Sequence, residues 1–363
     1  MESSDSACSL YPNHLLKSVL CVPVSLWQRR QGRVARVGAD GKRLASYKAG
    51  RAEVRKVAGK LNLLGTSARD RRRNIQMWAK RIAVAITLLA ILAAMGAALV
   101  RSQLPAIGAG ALLYPARQVS KRATPAACVD RTFEGVDARL AGWICNPEMP
   151  SAKPAIVYLH GIGDNRDSST GVIDRFVRRG FTVVVYDSRG HGRSAGEGCT
   201  YGFFEKQDLR RVLDQAAIDR AIAIGHSLGG AVALQAAAID PRIIGVVSVS
   251  TFADLRSIAT ERAPFVFTRG SINRAFKLAE QQGGFSVDAA SPLSAAPRIK
   301  APVLLIHGAA DSKTPPSHSQ RVFDALTGPK RLILVPGAGH NQSLQSEIWT
   351  EIDRWVERHS PDR

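Results

Sequence analysis

The chain contains 363 residues and carries 50 Lys or Arg against 30 Asp or Glu, a formal net charge of +20. The charge is uneven, because residues 1–81 hold 18 basic and 5 acidic residues, a net +13, which leaves +7 for the other 282 residues. The basic excess therefore belongs mainly to the first part of the chain, and overall charge gives no reason to expect nucleic-acid binding by the rest.

The basic first part, residues 1–81, is expected to be a largely disordered tail. Two further interpretations stay open. Translation could start at Met77, because residues 77–81 and the apolar run after them read as the complete start of a signal anchor. Alternatively, a basic amphipathic helix could bind anionic lipid or nucleic acid. Its apolar side would comprise Leu44, Tyr47, Val54, Val57, Leu61 and Leu64.

An apolar run follows the tail at residues 82–100. Its 19 residues contain no charge. As a helix they would span about 28 Å, which matches the hydrocarbon core of a bilayer. A buried core helix fits less well, because the run is apolar on all sides and precedes the strand-rich part of the chain. The run therefore predicts a transmembrane helix that anchors the protein.

The charges that flank this run predict its orientation. The 20 residues after it contain only Arg101 and Arg117 as basic residues. We therefore expect the amino end to stay cytoplasmic and the rest to face outward, in the periplasm or outside the cell. Residues 101–127 read as a linker, and Pro105 with the glycines and alanines up to Ala111 could instead form a short second membrane-contacting stretch. Cleavage at the small residues 109–111 is the alternative to an uncleaved anchor. The basic cluster on the amino side consists of Arg69, Arg71, Arg72, Arg73, Lys80 and Arg81.

Three of the five cysteines lie in the part expected to be exported, where disulfides persist. Cys128 and Cys145 flank a predicted hairpin over residues 131–144, with its turn near Glu134, so we expect a bridge between them. Cys199 is a competing partner. Three cysteines leave one thiol unpaired in either case.

Short apolar runs alternate with helix-length segments between residues 155 and 358. Because the Val- and Ile-rich runs show no polar alternation, they are typical of strands buried on both faces. The alternation predicts an α/β fold with a mostly parallel central sheet and helices on both faces. The predicted strands are residues 155–159, 182–187, 221–224, 243–250, 303–307 and 331–335, and the predicted helices are residues 170–179, 203–217, 230–239, 317–326 and 343–358.

The segment Gly225-His226-Ser227-Leu228-Gly229 lies between a predicted strand and a predicted helix. In that setting G-x-S-x-G is the signature of a nucleophile elbow, which is a sharp and strained turn. The glycines are needed because a Cβ at either flanking position would collide with the neighbouring strand or helix. Ser227 is therefore the candidate nucleophile.

A nucleophilic serine needs a base to take its proton and an acid to orient that base. Asp311 and His340 follow Ser227 in that order, and each comes after a predicted strand, on the edge where open α/β sheets bind ligands. Asp311 could instead cap the turn after it, and Asp254 is the alternative acid. The other histidines near these motifs are expected to organise loops; they are His160, His191, His226 and His307.

Five motifs in this order resemble those of the α/β-hydrolase superfamily, over about residues 133–355. The likeness is closest to the small-lid serine hydrolases, such as monoacylglycerol lipases, serine aminopeptidase-like hydrolases and bacterial prolyl-oligopeptidase-like hydrolases. It implies an oxyanion hole formed by the backbone N–H groups of Leu228 and Ile162. The matching motifs are His160-Gly161, the segment 187–194 (DSRGHGRS), the segment 225–230 (GHSLGG), the segment 307–311 (HGAAD) and Gly339-His340.

The resemblance implies a serine hydrolase that cleaves carboxylic ester or related acyl bonds through an acyl-enzyme. Ser227 would attack, His340 would take its proton, Asp311 would hold the imidazolium, and water would release the acid. A small ester or lipid substrate and the membrane are the expected partners, and neither a metal nor an organic cofactor is expected. A peptidase or an acyltransferase would use the same triad, and a catalytically inactive, membrane-anchored binding module is an alternative from another functional class.

Within a hydrolase domain of residues 128–363, about 50 residues separate the predicted strand at 243–250 from the one at 303–307. They predict a lid over about residues 251–302. Its apolar side chains could cover an acyl pocket or pack against the core. They are Phe252, Phe265, Val266, Phe267, Ile272, Phe276, Leu278 and Phe285.

Overall fold

A computed structural model describes residues 67–149 and 151–360 of the chain. Most of the basic tail lies outside the described residues, and with it the amphipathic helix expected around Leu44. The described part begins with a long helix and continues into an α/β domain.

The first element is one helix of 46 residues, α1 (Ala68–Leu113). It extends past the expected boundary at residue 100, so residues 101–113, the first half of the expected linker, are helical. The last three turns of α1 are buried on one side in the hydrophobic core of the domain, and this packing keeps the segment helical despite its proline. The buried residues are Leu104, Pro105, Ala109 and Leu113.

Within the described residues, α1 is the one helix that is long and apolar enough to cross a membrane, judged by length and composition. The side chains of residues 82–100 are exposed. Both observations are consistent with the predicted anchor.

An eight-stranded sheet forms the centre of the domain. Its strands are β1 (Cys128–Glu134), β2 (Arg139–Cys145), β3 (Ala155–Leu159), β4 (Val183–Tyr186), β5 (Ala221–His226), β6 (Ile243–Val249), β7 (Val303–Gly308) and β8 (Lys330–Val335). Their order in the sheet is β1-β2-β4-β3-β5-β6-β7-β8. The pairs β1/β2 and β2/β4 are antiparallel, and the other neighbours are parallel.

Helices cover both faces of this sheet. Successive residues of a strand point to opposite faces, so each strand contributes side chains to two hydrophobic clusters. In β3, Val157 and Leu159 belong to one hydrophobic cluster, whereas Ile156 and Tyr158 belong to the other. The first cluster includes residues of the helices Glu205–Gln215 and Leu228–Ala237, and the second includes residues of the helices Thr170–Val177 and Ser346–Arg358. The helices are α2 (Thr170–Val177), α3 (Glu205–Gln215), α4 (Leu228–Ala237), α5 (Leu255–Arg262), α6 (Arg269–Gly283), α7 (Pro292–Ala295), α8 (Ser317–Ala325) and α9 (Ser346–Arg358).

This architecture confirms the predicted fold class, a mostly parallel sheet with helices on both faces. The predicted strand at residues 155–159 coincides with β3, and the predicted helix at 317–326 ends one residue beyond α8. Among the elements predicted between residues 155 and 358, the largest shift of a boundary is three residues, at the start of α9.

The predicted hairpin is formed by β1 and β2, and its register places Cys128 opposite Cys145. The two cysteines are joined by a disulfide. Cys199 is a buried free thiol, and burial raises its pKa well above the ordinary value.

The segment expected to form a lid contains α5, α6 and the short α7. Its aromatic residues divide into two groups. Phe252, Phe276 and Phe285 are buried in the hydrophobic core, which agrees with ordinary packing. Phe265 is 99% exposed and therefore does not line a closed acyl pocket.

Candidate active site

Ser227 occupies a strained turn between β5 and α4, with φ 52° and ψ −112°. Such a conformation is costly for a residue with a side chain and persists where the surroundings impose it. A Cβ on Gly225 would lie 2.2 Å from the carbonyl carbon of Gly229, and a Cβ on Gly229 would lie 2.0 Å from the carbonyl oxygen of Leu159. The tight backbone packing explains both glycines and holds Ser227 at the carboxyl end of β5.

The structure brings Ser227, His340 and Asp311 together. Nε2 of His340 lies 3.1 Å from Oγ of Ser227. Nδ1 of the same imidazole lies 2.7 Å from Oδ2 of Asp311. Because a carboxylate accepts hydrogen bonds, Nδ1 carries the proton and Nε2 is left to accept one from the serine hydroxyl. This is the geometry that a general base needs.

The carboxylate of Asp311 is held by the loop that follows β7. Its Oδ1 accepts hydrogen bonds from the N–H groups of Lys313 and Thr314, each at 2.9 Å. Burial works against ionisation, but the Thr314 amide and His340 outweigh it and lower the pKa of Asp311. Asp311 is therefore ionised at neutral pH and orients His340.

The pKa of His340 is lowered from its ordinary value, mainly because burial disfavours the charged imidazolium. Asp311 opposes this shift, while nearby His226 and Arg262 add to it. The ring is therefore neutral at neutral pH, as a base must be before it accepts a proton.

The candidate oxyanion hole lies at two backbone positions near Ser227. Leu228 is the first residue of α4, so its N–H has no helical partner. Gly161 lies close to the elbow, since a Cβ there would be 3.8 Å from Cβ of Ser227. Ile162 follows directly in this loop and is partly exposed.

The neighbouring histidines stabilise loops. Nε2 of His160 accepts a hydrogen bond from the N–H of Ser188 at 3.0 Å, while Nδ1 lies 2.7 Å from the carbonyl oxygen of Gly161. His160 therefore connects the loop after β3 to the loop after β4. Nε2 of His226 lies 3.1 Å from the carbonyl oxygen of His340 and supports the loop that carries the candidate base.

Asp254, the alternative acid, makes its contacts at the start of α5. Its carboxylate caps α5 by accepting a hydrogen bond from the N–H of Ser257 at 2.7 Å, and it pairs with Arg321 at 2.7 Å. A carboxylate used in this way is a helix cap.

Sequence reasoning did not find two arginines that support the site. Arg262, at the end of α5, donates to the carbonyl oxygen of Lys313 at 2.6 Å and to Oγ1 of Thr314 at 2.7 Å. Arg166 forms a buried ion pair with Asp187 at 3.0 Å and so fixes the loop after β4. The position of Asp187 at the end of a buried strand indicates that its carboxylate needs a positively charged partner, but the sequence does not show that this partner is Arg166.

Among residues 67–149 and 151–360, no group of three or more His, Cys, Asp or Glu side chains is arranged to hold a metal ion.

Residues 154–272 match the family model of the alpha/beta hydrolase fold. The uncharacterized protein YfhR of Escherichia coli strain K12 is 29% identical over 231 residues, which cover 61% of this chain and 72% of YfhR. The uncharacterized protein YqkD of Bacillus subtilis strain 168 is 30% identical over 201 residues, which cover 52% of this chain and 65% of YqkD.

Solved structures with similar folds include the esterase Pf2001 of Pyrococcus furiosus, with a TM-score of 0.56 and 22% identity over 68% of this chain and 98% of the esterase. The acylaminoacyl peptidase of Pyrococcus horikoshii gives a TM-score of 0.50 and 18% identity over 64% of this chain and 41% of the peptidase. These two likenesses are at the level of the fold. Together with the family match over residues 154–272 and the sheet order, they show that the chain has the α/β-hydrolase fold.

Proposed function

We propose that this protein is a membrane-anchored serine hydrolase that cleaves carboxylic esters through an acyl-enzyme. The observation that carries the proposal is the chain of contacts from Ser227 to His340 at 3.1 Å and from His340 to Asp311 at 2.7 Å, built on a strained elbow. The similar fold of an esterase supports an ester as the substrate.

The proposed reaction begins when Oγ of Ser227 attacks the ester carbonyl carbon and Nε2 of His340 takes the hydroxyl proton. The backbone N–H groups of Leu228 and Ile162 stabilise the resulting oxyanion. The imidazolium then gives its proton to the leaving alcohol, and Asp311 stabilises its positive charge. A water molecule, deprotonated by His340, attacks the acyl-enzyme and releases the acid.

The anchor in this proposal is the apolar part of α1. Basic residues crowd its amino side, which supports a cytoplasmic amino end and a hydrolase domain that faces outward. A disulfide between Cys128 and Cys145 agrees with an exported domain, because disulfides persist in oxidising compartments.

The test is labelling of the full chain in detergent with a fluorophosphonate probe. Wild type and a Ser151→Ala control, which changes a serine outside the site, should be labelled. Ser227→Ala should not be labelled, and His340→Ala should be labelled at least about a hundredfold more slowly. Labelling that persists in Ser227→Ala would contradict the assignment of the nucleophile. A separate measurement distinguishes hydrolysis from acyl transfer: the products formed from an ester by the wild-type protein are compared with and without an added acceptor alcohol.

A further inference from the structure

The hydrolase domain begins to contact α1 very soon after the apolar run ends. Leu104 and Pro105 are buried, and Leu104 follows Val100 by four residues, about 6 Å along a helix. The headgroup region of each leaflet is roughly 5 to 8 Å thick. If residues 82–100 span the bilayer, the domain therefore lies directly on the membrane surface.

The part of the domain that meets α1 includes the lid helix α6. Gly108 of α1 is packed closely there, since a Cβ on Gly108 would lie 2.9 Å from Cβ of Ala275 and 3.1 Å from the ring of Phe267. One turn and a half later, Leu113 approaches Gly283 at the other end of α6. The lid helix therefore borders the segment of α1 that leaves the membrane.

The loop between α5 and α6 exposes apolar side chains beside this contact. Phe265 is 99% exposed and Val266 is 47% exposed. Phe267, two residues after Phe265, touches Gly108, and Ile107 on α1 is 57% exposed. A cluster of large, solvent-exposed apolar side chains indicates a site that binds another protein or a membrane.

The same segment is positively charged. Residues 262–277 contain four basic residues and no acidic residue, and all four are exposed. Basic residues beside exposed aromatic side chains favour a surface of anionic lipids. The four are Arg262, Arg269, Arg274 and Lys277.

This segment also lies at the candidate active site. Arg262 binds Thr314, whose N–H donates to Asp311. The guanidinium of Arg262 is also close enough to His340 to help lower its pKa. Phe265 follows only three residues after Arg262, so the exposed apolar loop adjoins the side of the site that carries the acid and the base.

We propose that residues 262–277 rest on a bilayer that contains anionic lipids, with Phe265 and Val266 inserted at the boundary between headgroups and acyl chains, and that Ser227 receives the acyl ester of a membrane lipid there. This proposal rests on the proposed function, because it needs both the anchor and the nucleophile. It deepens that function by naming the substrate class and the face through which the substrate arrives.

The test places a fluorescent probe in the loop of the full chain. Phe265→Trp is reconstituted in vesicles of equal parts phosphatidylcholine and phosphatidylglycerol, with phosphatidylcholine brominated on its acyl chains as the quencher. Met149→Trp is the matched control, because Met149 is also an exposed apolar residue but lies outside the lid. We expect the fluorescence added at position 265 to be quenched at least about twofold more than that added at position 149.

Equal quenching of the two variants in vesicles that carry the protein would overturn the membrane contact. In a third outcome, the tryptophan added in Phe265→Trp is protected from aqueous acrylamide but is not quenched by bromine. Protein would then cover the loop, and the proposal would be overturned as well. Failure of the protein to float with vesicles would overturn both the anchor and this proposal, whereas fluorophosphonate labelling tests Ser227 independently of either.

A second measurement tests lipid delivery. Fatty acid release from a lipid ester in the vesicle is compared with hydrolysis of a short soluble ester, and the ratio of the two rates is taken for each variant. Phe265→Ser should lower this ratio at least about fivefold, whereas Met149→Ser should leave it as in wild type. A ratio unchanged by Phe265→Ser would contradict delivery from the membrane even if both esters are cleaved.

Discussion

His307 lies against the candidate catalytic acid, with its Nε2 3.2 Å from Oδ2 of Asp311. The same nitrogen is 2.8 Å from the carbonyl oxygen of Thr314, and Nδ1 is 2.6 Å from Oγ of Ser319. Since a carbonyl oxygen only accepts, Nε2 carries the proton, and Nδ1 accepts from the serine. Burial lowers the pKa of His307, so the ring is neutral at neutral pH. His307 therefore braces the loop that carries Asp311.

His307→Leu should lower kcat about tenfold with little change in KM, because Asp311 would lose a support and orient the base less well. The variant should also lose about 1–3 kcal/mol of unfolding free energy, because buried polar groups would be left unpaired. Steady-state kinetics on a soluble ester and chemical denaturation provide the two numbers. Ser319→Ala, which leaves Nε2 in place, is the control and should change kcat less. A KM effect with kcat unchanged would contradict the bracing role.

The pH dependence of kcat/KM should report the lowered pKa of His340. The protonated ring cannot act as a base, so activity should fall as the pH drops through an apparent pKa below 6.5 and stay level from there to pH 8. Arg262→Met should raise this apparent pKa, because a nearby positive charge would be removed. A pH series on a soluble ester measures both values. A wild-type midpoint above 7 would contradict the electrostatic account of the site.

The elbow glycine Gly229 should not tolerate a side chain. Gly229→Ala would press a methyl group against the backbone of Leu159, so we expect loss of folding or a large fall in unfolding free energy. Gly171→Ala is the matched control, because no atom lies within 4 Å of the added methyl group in α2. That change should leave the protein as stable as before or stabilise it by up to about 1 kcal/mol. Thermal unfolding of both variants decides the point, and a stable Gly229→Ala would count against the elbow geometry.

Buried His191 should make the protein less stable in mild acid. Burial lowers its pKa to about 4, and nearby His160 adds to the shift. The unfolded chain therefore binds more protons between about pH 6.5 and 4, so stability is present above 6.5 and is lost as the pH falls through that window, by at most about 3 kcal/mol. His191→Gln should flatten this dependence. Melting temperatures from pH 7.5 to 4.5 measure it, and parallel curves for both proteins would contradict the assignment.

The bridge between Cys128 and Cys145 should stabilise the α/β domain. Their separation of 17 residues corresponds to about 3 kcal/mol in the chain-entropy account of disulfides. Cys145→Ala should therefore lower the melting temperature and abolish the mobility difference between reducing and non-reducing gels. Cys199→Ala, which removes the buried free thiol, should keep that difference. Loss of the difference in Cys199→Ala alone would mean that another pairing forms.

The parts of the fold that were predictable are those with a strong local signal. The run at residues 155–159 is apolar and β-branched between Pro154 and His160, and it is β3 without a shift. Glycines on both sides of Ser227 likewise mark a turn whose packing leaves no room for side chains. Hydrophobic periodicity and steric demands act over a few residues, so they can be read along the chain.

Contacts between distant segments were not predictable in this way. Arg262 and Thr314 are 52 residues apart, and nothing near Arg262 indicates that its guanidinium supports the acid loop. Residues 101–113 were expected to belong to a linker because Pro105 is followed there by glycines and alanines, but packing against the domain makes them helical. The Arg262–Thr314 contact and the helical state of residues 101–113 both depend on tertiary contacts, which a local sequence pattern does not reveal.

Each of the two outer strands of the sheet, β1 and β8, pairs with one neighbouring strand and carries charged side chains. Asp130, Arg131 and Glu134 lie in β1, while Lys330 and Arg331 begin β8. Charged side chains on an open edge hinder its pairing with a strand from another molecule. Anchoring would crowd many copies into one plane, where such pairing is the main aggregation hazard for an exposed sheet. The charges at both edges would thus keep neighbouring enzymes separate on a densely populated membrane.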